Sequence, residues 1–242
     1  MENHEYDSII GSPDAPYINS LARASALATN YDAVSHPSLP NYLALIGGDT
    51  FGIRSDCTDC YVDAPNLVDA LDAAHRSWKA YMEGMPRPCF TGGSSGRYAK
   101  KHDPFMYFDD IRTTPARCDN VVPYGSLDLK QLPDFSWITP DLCNDMHDCS
   151  VATGDAFLQR TVPGLIQALG PGGVLFITFD EGSGSAGGGG RVVTIAAGSG
   201  ARPGRYSQRF DHYSLLRTIE ERLGAPLTAN AATATSMRAL LK

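Results

Sequence analysis

Four short stretches hold the side chains that could do chemistry. The chain opens MENHEY, which sets Glu2 beside Asn3. Residues 35–42 read SHPSLPNY, with Ser38 between two prolines. The apolar run VLFITF ends at Asp180 and Glu181. His102, His147 and His212 stand in KKHDPF, NDMHDC and FDHYS. If the two acidic pairs sit at neighbouring strand ends, they offer three carboxylates and an amide oxygen, a hard oxygen set suited to a divalent cation. A serine hydroxyl beside such a cation can be bound as alkoxide and become a strong nucleophile. Ser38 lies just ahead of an apolar helix start, where backbone N–H groups and the helix dipole favour a phosphate. The plainer alternatives are a helix-capping serine and a solvated acidic loop. Three loop histidines, if they converge, can hold phosphoryl oxygens and protonate a leaving group. His4 and His36 flank these stretches without a clear role, and His75 lies on a helix face and reads as structural.

Two other stretches are set aside. GGSSG (92–96) fits the pattern of a nucleophile elbow around Ser94, but MPRPCF precedes it and RYAKKHDPF follows, where strand and helix are required. GSGSAGGGGR (182–191) is glycine-rich but lacks the Gly-Lys-Ser/Thr ending of a phosphate-binding loop, and reads as a mobile surface loop.

These residues need elements to position them. VLFITF and RVVTIAAG read as strands buried on both faces, SWKAYME and FSWITP as further strands. Helices are expected over 15–29, 40–48, 66–75, 154–170 and 212–224, with Pro163 kinking or starting the fourth. Strands alternating with helices predict an α/β fold with a mostly parallel central sheet flanked by helices. In such sheets ligands gather at the carboxyl ends of strands, which again selects Asp180 and Glu181. With no repeat or linker, the 242 residues are expected to form one domain, with an irregular, cysteine-bearing insertion at about 49–126.

Composition narrows the class. At 43% apolar and 19% charged residues the chain is globular. A formal charge of −7 argues against a nucleic-acid partner. No apolar run is long enough to cross a bilayer. Six cysteines suit three disulfides in an oxidising compartment, although CTDC and CNDMHDC could instead donate zinc ligands. Pairing neighbours gives Cys57–Cys60, Cys89–Cys118 and Cys143–Cys149, one of fifteen connectivities. No signal peptide is read ahead of MENHEY.

MENHEY, HPSLPNY, KKHDPFMYF, SWITPDLCNDMHDC, FITFDEG and DHYSLLRTIE, in this order, resemble the bacterial phosphoesterase family of phosphatidylcholine-type phospholipases C and acid phosphatases, within the alkaline phosphatase superfamily. The resemblance covers nearly the whole chain. It implies an alkaline-phosphatase-like fold and a metal-dependent phosphoric ester hydrolase working through a phosphoserine. Glu2, Asn3, Asp180 and Glu181 would hold the metal (Ca, Mg, Mn or Zn), and Ser38 would be the nucleophile. His147 and His212 would serve catalysis, while Asn3, His102 and Asp148 would bind substrate. The family is typically secreted, so a secreted or periplasmic location is expected. It usually has an apolar strand just ahead of its Glu-Asn pair, whereas this sequence opens inside that pair. The compact length favours a phosphomonoesterase acting on small phosphate esters. A phospholipase C or phosphodiesterase acting on phospholipid head groups, and an inactive metal- or phosphate-binding relic, are the alternatives.

Overall fold

A computed structural model describes residues 1–242. Its centre is two small sheets side by side. One has four strands in the order Gly204–Tyr206, Ala26–Ala28, Thr194–Ala197 and Leu175–Thr178. The other orders Val121–Pro123, Trp78–Met82 and Phe135–Thr139, all parallel, with Ala80 opposite Trp137. The α/β class follows the expectation, and parallel pairing fills the second sheet. In the first sheet Leu175–Thr178 and Thr194–Ala197 run antiparallel. They are joined by the glycine loop without a crossover helix, and parallel pairing would need such a crossover.

Helix Pro16–Ala24 packs on helix Val151–Leu169, and helix Ser38–Gly47 on helix His212–Leu223. The helix expected over 15–29 stops at Ala24, because Ala26–Ala28 is fully buried and paired on both sides in the sheet. Tertiary pairing there overrides the helix preference of alanine. The second helix starts at Ser38 rather than Pro40. Pro40 is still tolerated, since first-turn N–H groups have no intrahelical partner. The helix Val151–Leu169 runs through Pro163 without ending. Three disulfides join Cys57–Cys60, Cys89–Cys118 and Cys143–Cys149. The last closes the loop that carries Asp145 and His147.

A slot separates the two sheets. It has a volume of about 780 Å³ and runs between the unpaired edges of Phe135–Thr139 and Leu175–Thr178, with both long helices contributing walls. Met1 sits at its end. The Met1 amino group donates to the Thr178 carbonyl (3.1 Å), and the Asp180 N–H donates to the Met1 carbonyl (3.0 Å). These two bonds form one parallel-strand pair between Met1 and Phe179.

One core carboxyl has a measurable consequence. Glu220 is fully buried, its Oε1 accepts the Thr228 N–H at 3.0 Å, and its Oε2 has no partner. Burial pushes its carboxyl from 4.5 up to about 7. A carboxyl raised by folding holds its proton more tightly in the native state. Its contribution is therefore intact below about pH 4.5 and is lost as pH rises towards 7, on the order of 2–3 kcal/mol. Glu220→Gln cannot ionise and should remove that part of the slope. Urea midpoints on either side of the window measure it.

Candidate active site

Glu2 and Asn3 reach the late acidic pair through the backbone. The Met1–Phe179 pair sets them beside the carboxyl end of Leu175–Thr178, where Asp180 and Glu181 follow. The Glu2 N–H then donates to the Asp145 carbonyl at 2.8 Å. Asn3 takes a left-handed conformation (φ 56°), which asparagine tolerates better than most residues. Its N–H donates to Asp180 Oδ1 at 3.2 Å. Residues 177 positions apart thus share one corner.

Ser38, the first residue of its helix, points into this corner. It is 1% exposed, and its hydroxyl lies 3.2 Å from Glu2 Oε2 and 3.1 Å from Glu181 Oε1. A single hydroxyl proton can serve only one carboxylate at a time. Asn41 holds the approach loop, accepting the Val34 and Ser35 N–H groups and donating to the Ser35 and Pro37 carbonyls. The helix terminus offers a phosphate less than the sequence suggested. Asp56 Oδ1 accepts the Leu39 N–H at 3.0 Å, and Pro40 has none.

Around Glu2 the side chains are packed tightly. The Tyr42 hydroxyl donates to Glu2 Oε1, and its ring stacks on His102 with centroids 5.3 Å apart. His102 Nε2 lies 3.2 Å from Glu2 Oε2 and Nδ1 lies 3.1 Å from Asp145 Oδ2. Glu2, His102 and Asp145 bring one ligand atom each within 4.8 Å of one another. Four buried polar atoms here have no well-directed hydrogen bond: Asn3 Oδ1, His102 Nε2, Asp145 Oδ2 and Asp180 Oδ2.

The electrostatics agree with that count. Burial, then Asp180 and Asp145, raises the Glu2 carboxyl well above its usual range. Burial pushes Asp145 up to about 6 against the opposing His147 N–H. Burial, then Asp180, raises Glu181 as well. His102 is pushed down to about 3 by burial and stays neutral. Crowded carboxylates and a neutral imidazole around unpartnered atoms form a pocket short of positive charge.

The remaining histidines divide. His147 is part-exposed, with Nδ1 2.7 Å from Asp148 Oδ1 and Nε2 3.1 Å from the Lys101 ammonium, which also binds Asp56. His212 is fully buried behind the corner. Its Nε2–H donates to the Asp180 carbonyl at 2.6 Å, and the Tyr31 hydroxyl meets Nδ1 at 3.0 Å.

A family model described as the phosphoesterase family matches residues 11–226. The chain belongs to the phosphoesterase family. This phosphoesterase is 37% identical over 241 residues to the phosphatidylinositol-3-phosphatase of Mycobacterium tuberculosis, covering 96% of this chain and 78% of that protein. It is 30% identical to the phosphate-repressible acid phosphatase of Penicillium chrysogenum, covering 86% of this chain and 54% of the relative. An acid phosphatase of Aspergillus fumigatus is 29% identical, with 93% and 54% covered. The phosphoesterase thus spans about half the length of these fungal relatives. Its fold is similar to an alkaline phosphatase superfamily protein from Vibrio parahaemolyticus (TM-score 0.64, 10% identity, 99% of this chain and 70% of that one). A murine ectonucleotide pyrophosphatase/phosphodiesterase 5 in an inactive form with AMP is alike to the same degree (0.65, 11%, 100% and 98%). The chain is a phosphoric ester hydrolase with an alkaline-phosphatase-like fold.

Within the phosphoesterase, the fold brings Glu2, Asn3, Ser38, Asp180, Glu181 and His102 together. Asp148 stands outside them, more than half exposed, and meets His147 rather than the corner. Asp145, Asn41, Tyr42, Asp56 and Lys101 were not read from the sequence. Asp145 had one available signal, its place between Asn144 and His147 in a loop closed by Cys143–Cys149. Ser94 lies in a two-residue strand paired with Tyr98–Ala99, with no elbow geometry.

Proposed function

We propose that residues 1–242 form a single metal-dependent phosphomonoesterase domain that works through a phosphoserine on Ser38. One observation carries this: the Ser38 hydroxyl is wedged between two buried carboxylates, beside four polar atoms that lack a well-directed hydrogen bond. Those atoms fit a divalent cation. Glu2, His102 and Asp145 bring ligand atoms within 4.8 Å of one another, and Asn3, Asp180 and Glu181 offer further oxygens in the same corner. A cation held there supplies positive charge that lowers the cost of ionising a serine and of gathering phosphate oxygens.

The chain's own groups then divide the work. Glu181 or Glu2 accepts the Ser38 proton, and Oγ attacks phosphorus opposite the leaving oxygen. The Asn3 amide orients a phosphoryl oxygen. His147, part-exposed beside Asp148, protonates the departing alcohol; His212 holds Asp180 from behind, since its ring is fully buried and sealed from the pocket. Water attacks the phosphoserine, the P–Oγ bond breaks, and Ser38 regains its proton.

The gathered nucleophile and acids support an active enzyme over an inactive relic. The name of the mycobacterial relative supports a monoester phosphate on a phospholipid head group alongside small phosphate esters as substrate, and gives no support to a phospholipase C cut. The three disulfides support a secreted or periplasmic location. Acid quenching during turnover of p-nitrophenyl phosphate, followed by peptide mapping, should find phosphate on Ser38. Turnover with no phosphorylated Ser38 peptide would rule out the covalent route. Parallel assays with a short-chain phosphatidylinositol 3-phosphate decide whether lipid head groups are accepted.

A further inference from the structure

The stretch GSGSAGGGGR was expected to be a mobile loop, yet one carboxylate ties it down at both ends. Glu5 Oε2 accepts the Ser183 and Gly184 N–H groups, and Oε1 accepts the Arg191 N–H, each at 2.9 Å. The glycines make room for this carboxylate. A Cβ on Gly182 would stand 2.2 Å from Glu5 Oε2, and one on Gly190 would stand 2.7 Å away. The far side of the loop lies on the segment leading to Ser38: the Gly189 N–H donates to the Ala33 carbonyl at 3.2 Å, and a Cβ on Gly189 would meet the Ser35 carbonyl at 2.3 Å. The glycine run is thus a cradle for a carboxylate and a close backbone fit, the circumstances in which glycine is required.

The anchored loop presents the Gly184 carbonyl to His36, whose Nε2 lies 2.8 Å from it. The other ring nitrogen, Nδ1, is hydrogen-bonded to Glu181 Oε2. Glu181 Oε1 is the atom 3.1 Å from the Ser38 hydroxyl. A continuous line of contacts therefore runs from Glu5 to the serine.

We propose that Glu5 and His36 are positioning residues for Ser38: Glu5 anchors the glycine loop, the Gly184 carbonyl of that loop orients His36, and His36 fixes the Glu181 carboxylate against the serine hydroxyl. The role in catalysis rests on Ser38 acting as the nucleophile. Partners that orient a reacting group through another residue typically contribute 10–100-fold. Glu5→Ala should lower kcat about tenfold or more with KM within about twofold. Glu5→Gln keeps an oxygen for the Ser183 and Gly184 N–H groups but sets an NH2 against the Arg191 N–H, and should recover part of the loss. His36→Ala should lower kcat comparably, and the double variant Glu5→Ala/His36→Ala should lose no more than the worse single one, because both act in one line.

Two readouts do not depend on turnover. In the metal-free protein, Glu5→Ala should speed amide exchange at Ser183 and Gly184, whereas His36→Ala should leave it slow. The His36 Nε2–H should also exchange faster in Glu5→Ala than in wild type. Losses that multiply in the double variant, or a Glu5→Ala protein whose loop opens while kcat holds, would overturn the relay. A wild-type chain without phosphatase activity would defeat the assignment of Ser38 instead, and the His36 ring proton would still decide whether the glycine loop orients it.

Discussion

Ser38→Ala is expected to lower turnover of p-nitrophenyl phosphate by about 10³ or more, with cation affinity changed only a few-fold. The size follows from what is deleted. An alkoxide nucleophile has no substitute here: Ser35 turns its hydroxyl to the His36 carbonyl and Ser94 lies in a separate hairpin. Losing a nucleophile removes the covalent route altogether, and what survives is binding and electrostatic stabilisation of direct attack by water. Affinity should hold because Glu2, Asp145, Asp180 and Glu181 remain. Residual activity within a few-fold of wild type would exclude Ser38 as the attacking group. Isothermal titration of the same variant separates a lost nucleophile from a collapsed pocket.

Glu2→Gln should have effects of opposite sign with and without a cation. Glu2 is fully buried, and its carboxyl is raised by burial and by Asp180 and Asp145. The charged form is therefore a burden on the metal-free fold at neutral pH, and a neutral amide of the same shape relieves it. Stability in metal-free wild type is present at low pH and lost as pH climbs through the raised value. In Glu2→Gln this loss is absent, and its Tm near neutrality should exceed that of metal-free wild type by a few degrees. With a divalent cation the order inverts. The amide gives up the charge shared by both sides of the pocket, and affinity should fall at least about a hundredfold, since even outer partners of a metal ligand contribute 10–100-fold. Thermal unfolding in chelator and in excess cation reads both signs on one protein. A variant less stable than wild type in both conditions would mean that Glu2 is held by packing and hydrogen bonds alone.

Why Ser38 and the two acidic pairs were legible while Asp145 was not is a matter of range. The first are marked by local chemistry: a serine before an apolar helix, and acids at the end of a buried strand. Asp145 enters because its carbonyl receives the Glu2 N–H and its Oδ2 meets His102 across the fold; its place in the loop closed by Cys143–Cys149 does not encode those contacts. His212 illustrates the converse. Its position at a helix start and the family resemblance implied a catalytic role, yet the strand pairing of Phe210–Asp211 with Tyr31–Asp32 buries the ring beneath Asp180. The strand at Ala26–Ala28 was hidden for a third reason. Alanine prefers helix, and only neighbours on both sides reveal it as sheet. The disulfides followed sequence proximity, and the longest of them, Cys89–Cys118, ties together the irregular region between them.

The slot between the sheets has a consequence for how this molecule behaves in crowded solution. Two strand edges with unsatisfied ladders are an invitation to pair with other chains. Here they face one another across a slot walled by helices, with Arg76, Lys130, Asp134 and Arg222 among the side chains that line it. Conditions that loosen the His212–Leu223 helix should then expose both edges at once, making precipitation, and not reversible unfolding, the first visible sign of heating.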